Sequence, residues 1–253
     1  MNKIYISLLA VFLATASLSE RAWSQDSKAL ANAVVTAADR SPEDRALDAG
    51  RKPDQLLAFI GIQPGWRVAD LGAGGGYTTE LLKRAVGSEG VVYGQNSKKL
   101  LEMFLEKPWS ARLEKPAMKG VVRLDRDFDD PFPGDLRPLD AVTIVLFYHD
   151  TVWLGVNRAA MNKVVFAALK PGGVFVIVDH SARPGDGIDV ASTFHRIEEN
   201  VVKSEVQAAG FVLDGQADFL RNKDDTRDWN DSPRAAGERR GTSDRFVLRF
   251  RKP

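Results

Sequence analysis

The chain has 253 residues, 44% of them hydrophobic, and its 35 basic side chains nearly balance its 34 acidic ones. The resulting net charge of +1 gives no electrostatic reason to expect a nucleic acid or an anionic membrane as a partner. Because the sequence contains no cysteine, it excludes a disulfide framework, a thiolate nucleophile and a cysteine-ligated zinc site.

The first 24 residues have the pattern of a secretory signal peptide. A basic start precedes the apolar residues 4–14, and the small residues Ala22 and Ser24 stand at the −3 and −1 positions of a cleavage site. The apolar run is shorter than the roughly 20 residues that cross a membrane. We therefore predict that the mature protein starts near Gln25, has no stable membrane anchor, and is periplasmic or secreted.

The remaining chain divides into an N-terminal helical segment, residues 25–60, and a domain over residues 61–253. In the helical segment, Ser41 followed by Pro42 predicts the start of a helix. The domain alternates short apolar runs with amphipathic stretches. The apolar runs are RVADL (67–71), GVVYGQN (90–96), VVRLD (121–125), DAVTIVLF (140–147), GVFVIVDH (173–180), FVLDGQADFLR (211–221) and RFVLRFRKP (245–253). The stretches between them predict helices over 78–86, 98–105, 157–169 and 193–209. This alternation predicts an α/β fold: a Rossmann-like doubly wound, mostly parallel seven-stranded sheet with an antiparallel C-terminal strand.

The sequence DLGAGGGYTTELL joins the first predicted strand to a helix. In a doubly wound sheet, ligands bind where this loop lies, and glycines let the backbone approach a ligand closely. The dinucleotide pattern G-x-G-x-x-G would need a third glycine where Tyr77 stands, and no Gly-Lys-Ser/Thr sequence follows as in a Walker loop. The spacing therefore favours a different nucleoside ligand.

Asp70, two residues before Gly72, and the third glycine, Gly76, give this loop a pattern that resembles motif I of class I S-adenosylmethionine-dependent methyltransferases. The segment ALKPGGVFVIVDH resembles the turn and fifth strand of the same family. More narrowly, YHDTVW, VDHSARPG and FLRNKDDTRDWN resemble a group of predicted exported bacterial methyltransferases. The resemblance implies S-adenosylmethionine as cofactor and methyl transfer, but it does not identify the acceptor. We expect a small-molecule acceptor.

The resemblance also implies which residues bind the cofactor: Asp70, Gly72, Gly74, Gly76, Tyr77, Asn96, Asp127 and Phe128. Asp70 would organise the loop, while Asp127 and Phe128 would meet the adenine. Asn96 stands where the family has an acidic residue that binds the ribose hydroxyls. An amide binds a diol less strongly than a carboxylate by about 1 kcal/mol, so we expect weakened but not abolished cofactor binding.

The three histidines of the chain are the main candidates for chemistry. His149 ends the fourth predicted strand and His180 the fifth, so both are expected at the ligand-binding edge. With Tyr148 and Asp150, they are predicted to position an acceptor or accept its proton, and a hydrogen-bonded structural role is the alternative for each. His195 is expected on a helix, packed or solvated. No metal site is predicted, because the histidines lack a spacing such as H-x-x-x-H.

Three basic residues, Arg45, Arg51 and Lys52, precede the sheet and would either bind an anionic group of cofactor or substrate, or remain solvated. The long loop 221–244 is functional or flexible by its length. Its Trp229 would cover the substrate site or seal the edge of the core.

Trp153 and Phe166 are expected in the core.

Two alternatives to a methyltransferase stay open. The first is a non-catalytic S-adenosylmethionine- or nucleoside-binding protein that keeps the fold, since the cofactor is made in the cytoplasm and Asn96 departs from the family pattern. The second is an NAD-dependent oxidoreductase, which would bind NAD and not S-adenosylmethionine.

Overall fold

The computed structural model describes residues 26–136 and 138–253, so the predicted signal peptide lies outside the described residues. Its centre is a seven-stranded sheet with the order β3-β2-β1-β4-β5-β7-β6. The strands are β1 Arg67–Leu71, β2 Val91–Asn96, β3 Val121–Asp125, β4 Leu139–Val145, β5 Leu169–His180, β6 Val212–Ala217 and β7 Arg245–Arg251. Strands β1 to β5 pair in parallel, and β7 is antiparallel to both β5 and β6. The predicted fold class is confirmed.

Helices precede the sheet and connect its strands. They are α1 (residues 26–36), α2 Pro42–Arg51, α3 Pro53–Ile60, α4 Tyr77–Val86, α5 Lys98–Leu100, α6 Glu106–Leu113, α7 Asp150–Trp153, α8 Arg158–Ala168, α9 Ala191–Phe194 and α10 Glu199–Ala208. A π-helical turn, Leu101–Leu105, joins α5 to α6. None of the helices within residues 26–136 and 138–253 combines the length and hydrophobicity that a membrane span requires.

The connection between α2 and α3 positions a basic side chain near the sheet. Helix α2 begins as predicted at Ser41, whose hydroxyl accepts a hydrogen bond from the Asp44 backbone N–H at 3.3 Å. Lys52 has a left-handed backbone, with φ of 44°, which ends α2 and lets Pro53 start α3 at once. Arg51, the last residue of α2, is thereby held at the glycine-loop edge of the sheet.

The sheet is buried on both faces because successive residues of each strand point to opposite sides. In β5, Phe175 and Ile177 belong to the apolar cluster that includes α8 and α10, whereas Val176 and Val178 belong to the cluster that includes α3 and α4. The near-continuous apolar runs in the sequence reflect this double coverage.

Two of the predicted element boundaries that differ from the structure affect the histidines. Strand β4 ends at Val145, because Leu146 adopts a φ of 56°, so His149 does not end this strand as predicted but immediately precedes α7. The predicted helix 193–209 is broken after Phe194, where His195 has a φ of 53° and Ile197 pairs with Ser181 as an isolated β-bridge. An apolar pattern can continue across such a bridge, so sequence periodicity does not reveal the break.

The packing of α6 on β2 can be tested at a close contact between Gly94 and Trp109. A methyl group built on Gly94 of β2 would lie 2.5 Å from the buried ring of Trp109. We expect Gly94→Ala to lower the free energy of unfolding by about 1–3 kcal/mol, because an overpacked core must shift. Urea unfolding measures this. Gly134→Ala is the matched control, since nothing lies within 4 Å of its new methyl group. Equal stability of the two variants would contradict the packing.

Candidate functional site

A cavity of about 580 Å³ lies at the carboxyl ends of β1, β4 and β5. This is the edge at which doubly wound sheets bind ligands. Helix α2 and residues 231–245 also contribute to its wall. Its lining includes the glycine loop with Arg51, Tyr77, Leu100, Phe104 and Phe147, and a polar group formed by His149, Asp150, His180, His195 and Asp231. We call the first part the glycine end and the second the histidine end.

Asp70 anchors the glycine loop from within the sheet. It is 2% exposed, and its two carboxylate oxygens accept hydrogen bonds from the hydroxyls of Thr79 at 2.7 Å and Thr143 at 2.8 Å. Burial raises the pKa of Asp70 to about 6, although both hydroxyls act in the opposite direction. Asp70 therefore ties the end of β1 to α4 and to β4.

Two buried amides support the loop from beneath. The Gly72 backbone N–H donates to Gln95 Oε1 at 3.1 Å, and the Gly74 N–H donates to Asn96 Oδ1 at 2.9 Å. The Asn96 amide also donates to the Gly74 carbonyl at 3.1 Å. Asn96 therefore supports the loop. It is fully buried and does not line the cavity, so the structure does not bring it to the surface at which it was predicted to contact ribose.

The two residues predicted to contact the adenine, Asp127 and Phe128, do not line the cavity either. Phe128 is buried and stacks on Phe147, with ring centroids 5.0 Å apart, and Asp127 is exposed. Phe147 is the aromatic residue that lines the cavity. A methyl group on Gly72, which has a φ of 63°, would come within 2.6 Å of the Phe147 ring. The glycine at this position is thus required by the phenyl ring beside it.

Arg51 is the one of the three predicted basic residues that reaches the cavity. Its guanidinium lies 4.6 Å from the centre of the Tyr77 ring, and burial lowers its pKa. Among the described residues it has no hydrogen-bond or ion-pair partner. Arg45 and Lys52 instead donate to the backbone carbonyls of Ala37 and Phe219, at 2.6 and 2.5 Å.

Tyr77 and Gly76 hold the start of α4 against its surroundings. The Tyr77 hydroxyl donates to Asp48 Oδ1 at 2.6 Å, and burial together with this carboxylate raises the pKa of Tyr77. Gly76 leaves room for Trp109 and Arg112, whose side chains would lie 2.7 and 2.8 Å from an added methyl group. Tyr77 lines the cavity, whereas Gly76 serves packing.

Arg112 supports the glycine loop although no sequence pattern indicated this role. Its Nε donates to the Gly75 carbonyl at 2.9 Å, and its Nη1 pairs with both Asp44 and Glu80. This network clamps the outer side of the glycine loop to α2 and α4. Arg112 lies in α6, at an unremarkable charged position among other polar residues, so only its contacts identify it.

At the histidine end, His149 is the central group. Its Nδ1 lies 2.7 Å from Asp179 Oδ1, and its backbone N–H donates to the other oxygen of the same carboxylate at 2.7 Å. Its Nε2 lies 3.1 Å from Asp150 Oδ1 and 3.2 Å from His195 Nδ1. Burial by itself lowers the pKa of His149, but the Asp179 and Asp150 carboxylates raise it to about 10.

His180 ends β5 as predicted and also lines the cavity. Its Nδ1 lies 2.5 Å from Asp231 Oδ2 and 2.8 Å from Ser243 Oγ, both in the long loop before β7. Burial lowers the pKa of His180, although Asp231 opposes this shift. The loop 221–244 thus contributes directly to the site, which its length alone left undecided.

Tyr148, predicted as a catalytic candidate, points away from the cavity. It is fully buried, and its hydroxyl donates to Glu205 at 2.8 Å and accepts from the Asn162 amide at 2.8 Å. Burial and Glu205 raise the pKa of Tyr148, so its hydroxyl stays protonated. Because β4 ends at Val145, strand alternation does not decide which side Tyr148 faces.

Three aromatic predictions have different outcomes. Trp153 is not a core residue, because it is 36% exposed, lines the cavity, and donates from Nε1 to Asp150 Oδ1 at 2.6 Å. Trp229 does not line the cavity. The Arg196 guanidinium lies 4.8 Å from the centre of its ring, so Trp229 stabilises the long loop. Phe166 packs on Phe211 in the core, as expected, with ring centroids 5.0 Å apart.

Comparison with known proteins supports the fold independently. No protein-family model and no curated protein matches the chain. Among solved structures, an S-adenosylmethionine-dependent methyltransferase from Aquifex aeolicus is similar, with a TM-score of 0.57 and 17% identity over 78% of this chain and 88% of the other.

Two further solved structures agree. A chain in the complex between the Haloferax volcanii Trm112 methyltransferase activator and a methyltransferase has a TM-score of 0.58, with 19% identity over 88% of this chain and 97% of the other. A Galdieria sulphuraria protein described as a sarcosine dimethylglycine methyltransferase has a TM-score of 0.54, with 18% identity over 81% and 86%. At these identities the comparisons show the class I methyltransferase fold.

The buried carboxylate at the loop predicts a pH effect. Asp70 titrates near pH 6 when folded and near pH 4 when exposed in the unfolded chain, so the folded state holds its proton more tightly. Its stabilising contribution is complete below about pH 4 and is lost as the pH rises through about 6. Relative to Asp70→Asn, the wild-type protein should lose roughly 3 kcal/mol of unfolding free energy across this window.

Urea unfolding of both proteins at several pH values measures this difference. A wild-type minus variant difference that stays constant with pH would show that Asp70 does not titrate in this range.

Proposed function

We propose that the protein is an S-adenosylmethionine-dependent methyltransferase that acts on a small-molecule acceptor outside the cytoplasm. The observation that carries the proposal is one cavity with two chemically different ends at the carboxyl edge of the sheet. The glycine end offers backbone, aromatic surface and the guanidinium of Arg51, and the histidine end offers imidazoles and carboxylates. A two-substrate transfer needs both ends in one enclosure.

The residues of the glycine end fit the proposed cofactor. Arg51 is a cation without a carboxylate partner among the described residues, and guanidinium groups bind carboxylates in a bidentate manner. The cofactor carries one carboxylate on its amino acid part. Leu100, Phe104 and Phe147 supply the apolar surface that a purine ring needs. Gly72 and Gly74 present backbone with positive φ, so no Cβ narrows the cradle.

The bound cofactor would supply a methyl group on a sulfonium centre, which transfers in line to a nucleophile. The protein contributes chiefly alignment, which is worth up to about 7–11 kcal/mol when both reactants are held. The glycine end is rigid, because its loop is held by Asp70, Gln95 and Asn96. The polar groups of the histidine end orient the acceptor and accept its proton.

The shape of the histidine end favours a small acceptor. Asp231, Ser232 and Pro233 of the long loop enclose it on one side, and Trp153 borders it on another. The nearly balanced charge of the chain gives no net electrostatic attraction toward an RNA acceptor. We therefore place the acceptor among small molecules with an ionisable nucleophile.

Cofactor binding is tested by calorimetric titration of the purified protein with S-adenosylmethionine and S-adenosylhomocysteine. We expect micromolar or tighter binding of at least one of them. Arg51→Met should weaken S-adenosylhomocysteine binding by about 10- to 100-fold, because a charged hydrogen bond contributes about 1.5–3 kcal/mol. Binding of 5′-methylthioadenosine, which lacks the amino acid part, should change little.

Arg45→Met is the control, since it removes the same charge from the same helix but outside the cavity. Absence of binding of either cofactor form to wild type would overturn the methyltransferase proposal. Equal weakening of both nucleosides by Arg51→Met would overturn the assignment of Arg51 to the carboxylate.

A second candidate, a non-catalytic binding protein, is favoured by one observation. Asn96 is fully buried against Gly74 and does not line the cavity, so the position that holds the ribose in the resembled family presents no acceptor to a ligand here. Formation of S-adenosylhomocysteine from S-adenosylmethionine with any member of a broad acceptor panel decides against this candidate. Tight binding without turnover across the panel decides for it.

Export is tested separately from chemistry. We expect the full chain, expressed in a Gram-negative bacterium, to be recovered from the periplasmic or secreted fraction with an N-terminus near Gln25. N-terminal sequencing of the fractionated protein measures this. Recovery only in the cytoplasm with Met1 retained would contradict the export proposal and leave the cofactor result unaffected.

A further inference from the structure

Three potential metal ligands converge at the histidine end. His149 Nε2, His195 Nδ1 and Asp150 Oδ1 form a triangle with sides of 3.2, 3.1 and 3.1 Å. We infer that these three side chains bind one divalent transition-metal ion, with Zn²⁺ the first candidate. The inference gives the histidine end a metal ligand that the proposed function does not assign to it, and it does not depend on cofactor binding.

The triangle has the dimensions of a metal-binding face. For an ion about 2.1 Å from each atom, the angle between any two ligand bonds would be roughly 95°. This angle lies between the about 90° of an octahedron and the about 109° of a tetrahedron. Two imidazoles and one carboxylate are a donor set used by Zn²⁺ and by other divalent transition metals. The remaining coordination positions would face the cavity, where a water or an acceptor heteroatom could bind.

Hydrogen bonds can use only two sides of this triangle, those from His149 Nε2 and His195 Nδ1 to Asp150 Oδ1. A hydrogen bond requires a nearly straight donor–hydrogen–acceptor arrangement, so a proton on His149 Nε2 cannot point at both Asp150 and His195. One ion at the apex contacts all three atoms at once. Two carboxylates, Asp150 and Asp179, also lie within 3.1 Å of the His149 ring nitrogens, and a divalent cation would offset their charge.

The surroundings orient the three ligands as metal sites require. Asp179 Oδ1 lies 2.7 Å from His149 Nδ1, so this nitrogen donates and Nε2 is left to ligate, which is the carboxylate–histidine–metal arrangement. Trp153 Nε1 donates to Asp150 Oδ1 at 2.6 Å and fixes that carboxylate. His195 has a left-handed backbone conformation, with a φ of 53°. This conformation costs energy for a histidine, and such strained residues are typical of functional positions.

The test is a titration of the full chain, freed of metal by a chelator and dialysed, with Zn²⁺ alone. We expect one Zn²⁺ per chain at micromolar or tighter affinity and a rise in the unfolding temperature with added Zn²⁺. Mg²⁺ should bind far more weakly, because it prefers oxygen ligands. A Co²⁺ titration should give a visible absorption band from the bound ion.

Two variants test the ligands. In His195→Asn the new residue also tolerates the left-handed backbone, and in Asp150→Asn the new side chain has the same shape as the old one. Each should weaken Zn²⁺ binding by more than about 100-fold, above the roughly 10- to 100-fold effect of losing a partner hydrogen-bonded to a ligand. Unfolding temperatures measured without metal check that each variant folds.

His180→Asn is the matched control, because His180 lines the same cavity but lies outside the triangle, with its ring centroid 5.5 Å from that of His149. It should leave the Zn²⁺ affinity essentially unchanged. The inference is overturned if wild type binds no Zn²⁺ and shows no Co²⁺ band, if both ligand variants retain binding, or if His180→Asn abolishes it. None of these titrations contains a nucleoside, so their failure is separate from failure of the cofactor proposal.

Discussion

The histidine end depends on the hydrogen bonds of one carboxylate, that of Asp179, the penultimate residue of β5. Its two oxygens accept from the His149 backbone, the His149 ring and the His180 backbone, at 2.7, 2.7 and 2.8 Å. A carboxylate that is fully buried is costly unless such donors surround it. The cost of leaving Asp179 unpaired therefore fixes the path of the chain after β4, and with it the orientation of His149.

The glycine end is built on the same principle with different groups. Asp70 is satisfied by two threonine hydroxyls, while Gln95 and Asn96 bind the loop backbone from below and Arg112 binds it from outside. The loop is therefore rigid before any ligand arrives, which lowers the entropic cost of binding. Asn96 shows the consequence of this arrangement, because an amide that is fully buried beneath the loop and bonded to Gly74 is not exposed to a ligand in the cavity.

The elements that could be predicted from sequence are those set by local chemistry. Ser41 and Pro42 started α2 as expected, the apolar runs became the seven strands, and the glycines joined β1 to α4. His180 was correctly placed at the end of β5. The direction in which the Tyr148 side chain points could not be predicted from sequence. The chain turns at Leu146, and a one-residue change reverses the side to which a strand residue points. Likewise, nothing in the segment around Arg51 distinguishes it from Arg45 or Lys52 until the helices are packed.

By itself, the sequence determined the α/β architecture and the location of a ligand-binding edge, because strand and helix periodicity and glycine spacing are local properties of the chain. Only the tertiary structure brought His195 to His149 and Asp150, across 46 residues and a broken helix. Only the tertiary structure committed Asn96 to the loop and left Arg51 facing the cavity. Those outcomes depend on which buried polar groups find partners when distant segments meet, and no local pattern encodes that pairing.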